Sequence, residues 1–285
     1  MVEQLQVVGI DGSHNSMQAL LWATARTDLL GDVEPVAAWR YPWWALVPTA
    51  TGTLAPPTNT EYEAITALMA TRMLESVDSD SFRDPVLVHG AAGPALVAAG
   101  EHASLIVVGS RGRNTVTSGV LGSVSAHCVH HATVPVAIIP PSAPSQDRFR
   151  RVVVGIDGSK HGIKAIEWAL DNTDASTLID VVHVWSDDAV SAESGALAAI
   201  RFQDESERLV AEAIEEVGGG TERPDRQVEG RSERGDPRSM LRSTAEQADL
   251  LVVGARGRGV LEDLLLGSVA ISLVHKPSTP TVVVR

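Results

Sequence analysis

The segment VVGIDGS occurs twice in this chain, beginning at Val7 and again at Val153. Asp11 and Asp157 are 146 residues apart, and Trp22 with Trp168 and Trp39 with Trp185 keep that offset. LIVVGSRGR at Leu105 returns as LLVVGARGR at Leu250, LGSV at Leu121 returns at Leu266, and Pro135 returns as Pro280, all 145 apart. Self-similarity at this period means one whole domain written twice, head to tail. The length of 285 residues agrees with two domains of ~100–200 residues each. Each half is large enough to bury about two thirds of its unfolded surface without a disulfide or metal staple. The single cysteine, Cys128, excludes an internal disulfide framework and a four-thiolate zinc site.

The Pro/Ser-rich stretch from Pro140 to Gln146 marks the boundary. The expected division is a first domain over 1–142, a linker over 143–149 and a second domain over 150–285. The net charge of −13 divides evenly: residues 1–145 hold 6 Arg, no Lys and 12 acidic residues, giving −6, which leaves −7 for the rest. That acidity argues against a general nucleic-acid binder, which shows a basic stripe. The N-terminus has no basic region followed by an apolar core, and no run of ~18 apolar residues is present, so a cytoplasmic protein without membrane contact is expected.

Within each repeat apolar runs alternate with helical periodicity. Leu5–Ile10, Val36–Trp39, Pro85–His89, Leu105–Val108 and Val134–Ile139 read as strands in the first repeat, and Val152–Ile156, Ile179–Trp185, Gln227–Glu229, Leu250–Val253 and Thr281–Val284 in the second. The helices between them, among them 61–77, 95–102 and a segment within 116–131, imply an α/β fold. The sheets would be two tandem five-stranded parallel ones, covered on both faces.

In such a sheet ligands bind beyond the carboxyl ends of the strands, where the strand order reverses. Two constellations per repeat follow strands. One is Gly9, Asp11 and Ser13, repeated as Gly155, Asp157 and Ser159. The other is Gly109-Ser110-Arg111-Gly112-Arg113, followed by Gly122-Ser123-Val124-Ser125, with the copy Gly254-Ala255-Arg256-Gly257-Arg258 and Gly267-Ser268-Val269. Glycines there admit positive φ and let backbone N–H groups approach a phosphate. Gly122-Ser123 opens a helix whose first N–H groups suit an anion, and Ser123 and Ser268 can bond it or cap the helix. Arg111, Arg113, Arg256 and Arg258 place scarce positive charge in the same loops. One such loop is weak evidence against plain turn geometry; the full spacing twice over favours phosphate binding. Asp11 and Asp157 read equally well as turn and cap residues or as carboxylates bonding a ribose or base. There is no G-x-x-x-x-G-K-[ST] loop; Gly158-Ser159-Lys160-His161 has the wrong order. A dinucleotide fingerprint, a kinase set and a G-x-S-x-G elbow are also missing from the sequence.

GIDGS near the start of each repeat, with G-x2-G-x9-G-S after an LIVVG-type strand, resembles the ATP-binding branch of the universal stress protein family in its tandem form, over nearly the whole chain. The resemblance implies an adenine-nucleotide α-hydrolase-like, Rossmann-like fold. It implies ATP, with or without magnesium, in each half. Asp11 and Asp157 would lie beside the adenosine. Ala38 and Val184 would offer backbone bonds to adenine, although the first strand reads PVAAW, with Ala37 where the second has His183. The glycine loops would line the triphosphate. The resemblance further implies that the last strands pair, so Val134–Ile139 is expected antiparallel to Thr281–Val284 within one chain, with a homodimer also open. The expected role is stress-response signalling by a binding module, not a dedicated catalyst. Slow ATP hydrolysis or autophosphorylation, or a nucleotide-free scaffold, are the alternatives.

His127 and His131 have the i, i+4 spacing of a metal pair, but the second repeat lacks it, so no metal site is expected. Cys128 reads as a buried small hydrophobe. Trp22, Trp39, Trp168 and Trp185 read as core, and Trp43 and Trp44 as a cover for the first site or a partner surface.

Overall fold

The computed structural model of the chain describes residues 4–40, 47–48, 52–55, 58–77, 81–112, 121–143, 146–186, 195–218, 225–257 and 266–285. The first half runs β1 (Leu5–Gly9), α1 (His14–Thr24), α2 (Thr27–Leu30), β2 (Asp32–Trp39), a ribbon of β3 (Val47–Pro48) and β4 (Leu54–Ala55), α3 (Asn59–Glu75), β5 (Val86–His89), α4 (Ala92–Gly100), β6 (Leu105–Gly109), α5 (Ser123–His131) and β7 (Val136–Ile139). The second half runs β8 (Arg151–Ile156), α6 (Lys160–Asp171), β9 (Leu178–Trp185), α7 (Gly195–Glu216), β10 (Gln227–Arg234), α8 (Pro237–Ala245), β11 (Leu250–Gly254), α9 (Ser268–His275) and β12 (Thr281–Val284).

Among the described residues ten strands join in one sheet, ordered β10-β9-β8-β11-β12-β7-β6-β1-β2-β5. Each half is parallel within itself. The seam is antiparallel, with Thr281 opposite Ile138, Val282 opposite Ala137 and Val283 opposite Val136. The pairing expected of the last strands is thus present within one chain. It also hides two apolar edges that would otherwise template aggregation. The two five-stranded sheets expected from the repeat are therefore one continuous sheet.

Alternation along the strands builds a core on each face. Val8, Ala137, Val152 and Val282 face one side, under Leu20 and Trp22 of α1, Met73 of α3, Ile166 of α6 and Val210 of α7. Val7, Ile138, Val153 and Val283 face the other, under Leu96 of α4, Val129 of α5, Leu241 of α8 and Leu273 of α9. Both cores contain residues of both halves, so neither stops at the seam. Trp22, Trp39, Trp168 and Trp185 are all buried, as their sequence context suggested. Trp43 and Trp44 lie outside the described residues.

The connection between the halves is tied down at its far end. Phe149 is buried, its ring 6.0 Å from that of Trp22. The Arg26 guanidinium lies 4.7 Å from both ring centroids and donates to the Trp22 carbonyl oxygen (2.8 Å). Burial pulls the Arg26 pKa down to about 10, while Asp249 and Asp147 raise it. Cation–π contact replaces part of the hydration that this charge has lost.

Several elements exceed their sequence-based bounds. β2 starts at Asp32 and includes Pro35, a residue normally kept out of inner strands. The N–H of Val33 donates to the Ser81 carbonyl, on the β5 side of the strand. Residues two apart direct their N–H groups alike, so the donor missing at Pro35 falls before the β2–β5 ladder begins at Val36. β10 continues to Arg234 although it reads as polar. It is an edge strand, and Arg231 on it donates to the buried Asp180 carboxylate of β9 (2.9 Å), which Arg151 of β8 also reaches (2.5 Å). The short helix α2 and the β3–β4 ribbon carry no periodicity and were not anticipated.

Candidate nucleotide site

The order of strands in the first half, β5-β2-β1-β6-β7, reverses between β1 and β6, and that in the second between β8 and β11. Both sequence constellations emerge at that crevice. After β1 the chain turns through Gly12, whose φ of +79° lies where glycine is favoured. The N–H of Ser13 donates to Asp11 Oδ1 (3.0 Å), and Ser13 Oγ accepts the N–H of Ser16 (3.1 Å) to cap α1. The copy is faithful: Gly158 has φ +74°, Ser159 N–H reaches Asp157 Oδ1 (3.1 Å), and Ser159 Oγ accepts from the N–H of Gly162 (3.2 Å). The capping reading of the aspartates therefore holds for one carboxylate oxygen of each.

The other oxygen meets the glycine loop. A β-carbon added to Gly112 would lie 3.0 Å from Asp11 Oδ2, and one added to Gly257 would overlap Asp157 Oδ2 outright. The two constellations are thus in contact, and only glycine lets the loop cross the carboxylate. The loop glycines earn their place by this closeness and not, as the sequence suggested, by positive φ. Gly109, Gly112, Gly122, Gly254, Gly257 and Gly267 are all absent from the left-handed region. Gly109 and Gly254 admit the first turns of α1 and α6: a β-carbon there would meet the Asn15 carbonyl oxygen at 2.6 Å or the His161 carbonyl carbon at 2.7 Å. Gly9 and Gly155 make room for Leu96 and Leu241 on the far face, a packing role.

The loop closes through the Gly122 N–H to the Ser110 carbonyl (2.9 Å), and in the copy Gly267 to Ala255 (2.8 Å). Gly122 and Gly267 then stand as N-caps of α5 and α9 with no side-chain capping bond. By contrast Ser13, Thr58, Ser159 and Asp236 cap their helices through side chains. Helix starts left without a cap present unsatisfied N–H groups and a positive dipole end to the crevice. Ser123 and Ser268 are exposed there and make no capping bond, so the capping reading of these two serines does not hold. Val124 and Val269 are half-buried behind them.

Three nominated residues face inward instead. Ser110 and Ala255 are buried beneath the loop and tie it to the sheet through N–H bonds to Ile139 (2.8 Å) and Val284 (2.7 Å). Ser125 is buried and its hydroxyl donates to the Gly109 carbonyl (2.7 Å), so it braces the loop and does not line the crevice. Arg111 and Arg256 are partly exposed at the loop; Arg113 and Arg258 lie outside the described residues. Ala38 and Val184 stand past the last residues of β2 and β9 paired with β1 and β8, Val36 and His183, where those strands border the crevice. His183 itself is held by Ser206 Oγ (2.6 Å), while Ala37 is packed in the core, so the departure at this position leaves the crevice unaffected.

The crevice of the first half opens as a groove of about 410 Å³ lined by Ser13, His14, Asn15 and Gly112. His14 and Asn15 were not nominated from sequence. The signal was their place in the first turn after the Ser13 cap.

The α5 histidines do not converge on a point. The His127 and His131 rings stack 4.2 Å apart, and His127 packs on Gly93 of α4. Burial pushes the Cys128 thiol up to about 12, which keeps it unreactive. His130 faces His131, Arg285, His127 and His275, and Arg285 donates to the carbonyls of Val129 (2.6 Å) and His130 (2.5 Å). Burial first, then neighbouring cations (His131 at His127, the group just named at His130, and Lys164, Arg256 and Arg285 at His161), holds the three below the ordinary imidazole value. Between about 6.5 and the lowered values the unfolded chain binds more protons than the folded one. Stability should therefore fall as pH drops through that window. Thermal unfolding at neutral pH and about one unit below 6.5 checks this. Asparagine at His130 and His161 should flatten the slope.

No helix of the described residues is long and apolar enough to cross a membrane. A sequence profile of the universal stress protein family matches residues 7–140 and 148–285. A universal stress protein of Mycobacterium tuberculosis is 33% identical over 295 residues, covering 98% of this chain and 96% of the relative. One of Mycolicibacterium smegmatis is 34% identical over 194 residues, 67% of this chain but 64% of the relative's length. Among solved structures, a universal stress protein from Archaeoglobus fulgidus superposes with a TM-score of 0.67 at 22% identity, covering 99% of this chain and 98% of that one. With both halves matched and the switch-point crevice built twice, the chain belongs to the universal stress protein family, in its tandem form.

Proposed function

We propose that each half binds one adenine nucleotide, ATP with or without magnesium, and that the protein acts in the cytoplasm as a stress-response module reporting adenylate state. The carrying observation is the loop glycine pressed against the aspartate in both copies, beside a helix start without a side-chain cap. A β-carbon would fill that cradle, and backbone N–H groups with a dipole end suit phosphate oxygens. Asp11 and Asp157 would meet the ribose, Ala38 and Val184 the adenine, and Gly112, Gly122, Ser123 and Arg111, with Gly257, Gly267, Ser268 and Arg256, the phosphates. Magnesium, where bound, would shield phosphate charge.

Binding without turnover is the favoured mode. Phosphoryl transfer needs an oriented nucleophile and charge neutralisation, and one oxygen of each crevice aspartate is already spent on its turn. A second reading, autophosphorylation, has one observation for it: Ser123 and Ser268 are exposed at the helix starts. Native mass spectrometry of the purified chain titrated with ATP tests the main reading. Two nucleotides per chain are expected, and no bound adenine nucleotide would overturn it in favour of a scaffold. Radiolabelled ATP separates the modes, since label on Ser123 or Ser268 would establish the second.

A further inference from the structure

The two crevices share a backbone plan but not a charge. In the first half the opening turn of α1 carries His14, Asn15 and Gln18; in the second, at the matching offset of 146, α6 carries Lys160, His161 and Lys164. His14 and Asn15 are two of the four residues lining the first groove, so the substituted positions belong to the site itself. Asn15 and His161 stand alike, each with its main chain against the first loop glycine, Gly109 or Gly254.

More positive charge gathers on the second crevice. Lys164 Nζ donates to the main-chain oxygen of Arg285 (3.1 Å), and Ser159 Oγ donates to the Arg256 carbonyl (3.1 Å). Lys164, Arg256 and Arg285 all act on His161 closely enough to oppose its protonation, with Asp157 working the other way. Arg285 is in turn held by the α5 carbonyls of Val129 and His130. The residue matching Arg285 in the first half is Pro140. Among the described residues the second crevice thus gathers Lys164, Arg256 and Arg285 around His161, with Lys160 exposed at the start of the same helix, where the first has Arg111 and His14. The loops outside the described residues carry Arg113 in one half and Arg258, Glu262 and Asp263 in the other.

We propose that the halves select nucleotides by phosphate charge. The second site takes a di- or triphosphate, and the first accepts adenylates of lower charge, AMP included. The inference rests on the nucleotide reading above. Cations converging on a crevice raise anion affinity in proportion to the charge they face, and salt weakens that part of the binding. Adenine and ribose contacts come from other residues and should be equal.

The test is photolabelling of the full chain with 8-azido-ATP and 8-azido-AMP, with labelled peptides assigned to either half. The ratio of ATP to AMP affinity should be on the order of 10- to 100-fold higher in the second half, the effect of one or two charge-assisted bonds. Lys160→His, His161→Asn and Lys164→Gln together give α6 the residues α1 carries. They should lower ATP affinity in the second half about tenfold and AMP affinity by clearly less, so that the ratio of ATP to AMP affinity falls there. The reciprocal His14→Lys, Asn15→His and Gln18→Lys should raise ATP affinity in the first half. Equal ratios in both halves, unmoved by either exchange, would overturn this inference alone. Labelling of neither half would overturn the nucleotide reading and this inference with it.

Discussion

Replacing Gly257 with alanine is expected to empty the second site while leaving the chain folded. The new β-carbon would occupy the space of Asp157 Oδ2, so either the loop lifts or the carboxylate turns away. Neither movement is absorbed by a flexible side-chain end elsewhere, because Asp157 Oδ1 is already fixed by Ser159. Gly112→Ala is milder, since its β-carbon would stand 3.0 Å from Asp11 Oδ2 and a small shift relieves it. Gly112 is exposed and Gly257 half-buried in a loop outside both cores, so the strain should be relieved locally at a cost well below that of a core substitution. The melting temperature should therefore hold while nucleotide count in native mass spectra falls from two toward one for Gly257→Ala. A loss of affinity of about 100-fold is expected there, against about tenfold for Gly112→Ala. Unchanged stoichiometry and affinity in Gly257→Ala would show that the loop–aspartate contact is no part of the site.

The second large effect concerns the seam. Ile138 is fully buried opposite Thr281, and Val283 is buried opposite Val136. Lysine at Ile138 puts a charge where no counter-charge stands, at a cost of several kcal/mol. For a chain of this size that corresponds to a fall on the order of 10 °C in melting temperature. The result should be separation of the halves or pairing of freed edges between chains, read by small-angle scattering and by faster proteolysis within 140–149. Val7→Lys is the control: it is as buried, in the same half, but β1 pairs with neither β7 nor β12. Equal scattering profiles for the two variants would mean that the antiparallel pair contributes little to docking.

What could be read from sequence, and what could not, follows from how each residue acts. The buried parallel strands were legible because apolar runs such as LIVVG have no other stable place. The contact between Asp11 and Gly112 was not, since it joins positions far apart in sequence whose only shared sign is that both follow strands. Ser110 and Ser125 belong by sequence to the glycine loop and the helix start that follows it. Which way a serine faces depends on loop closure, and here the Gly122–Ser110 bond turns both inward. β10 escaped notice past Glu229 because its stabilising partner is a charge, Asp180, and not an apolar neighbour. Lys160 and His161 were seen only as a failed phosphate-loop motif, although they begin the helix that walls the crevice.

The antiparallel seam has a geometric corollary. Strands of the two halves end in opposite directions across one sheet, so the two crevices open toward opposite poles of the molecule. No single flat surface can cover both mouths. If each crevice holds a nucleotide as proposed, a partner docked at one pole would meet one occupant and not the other.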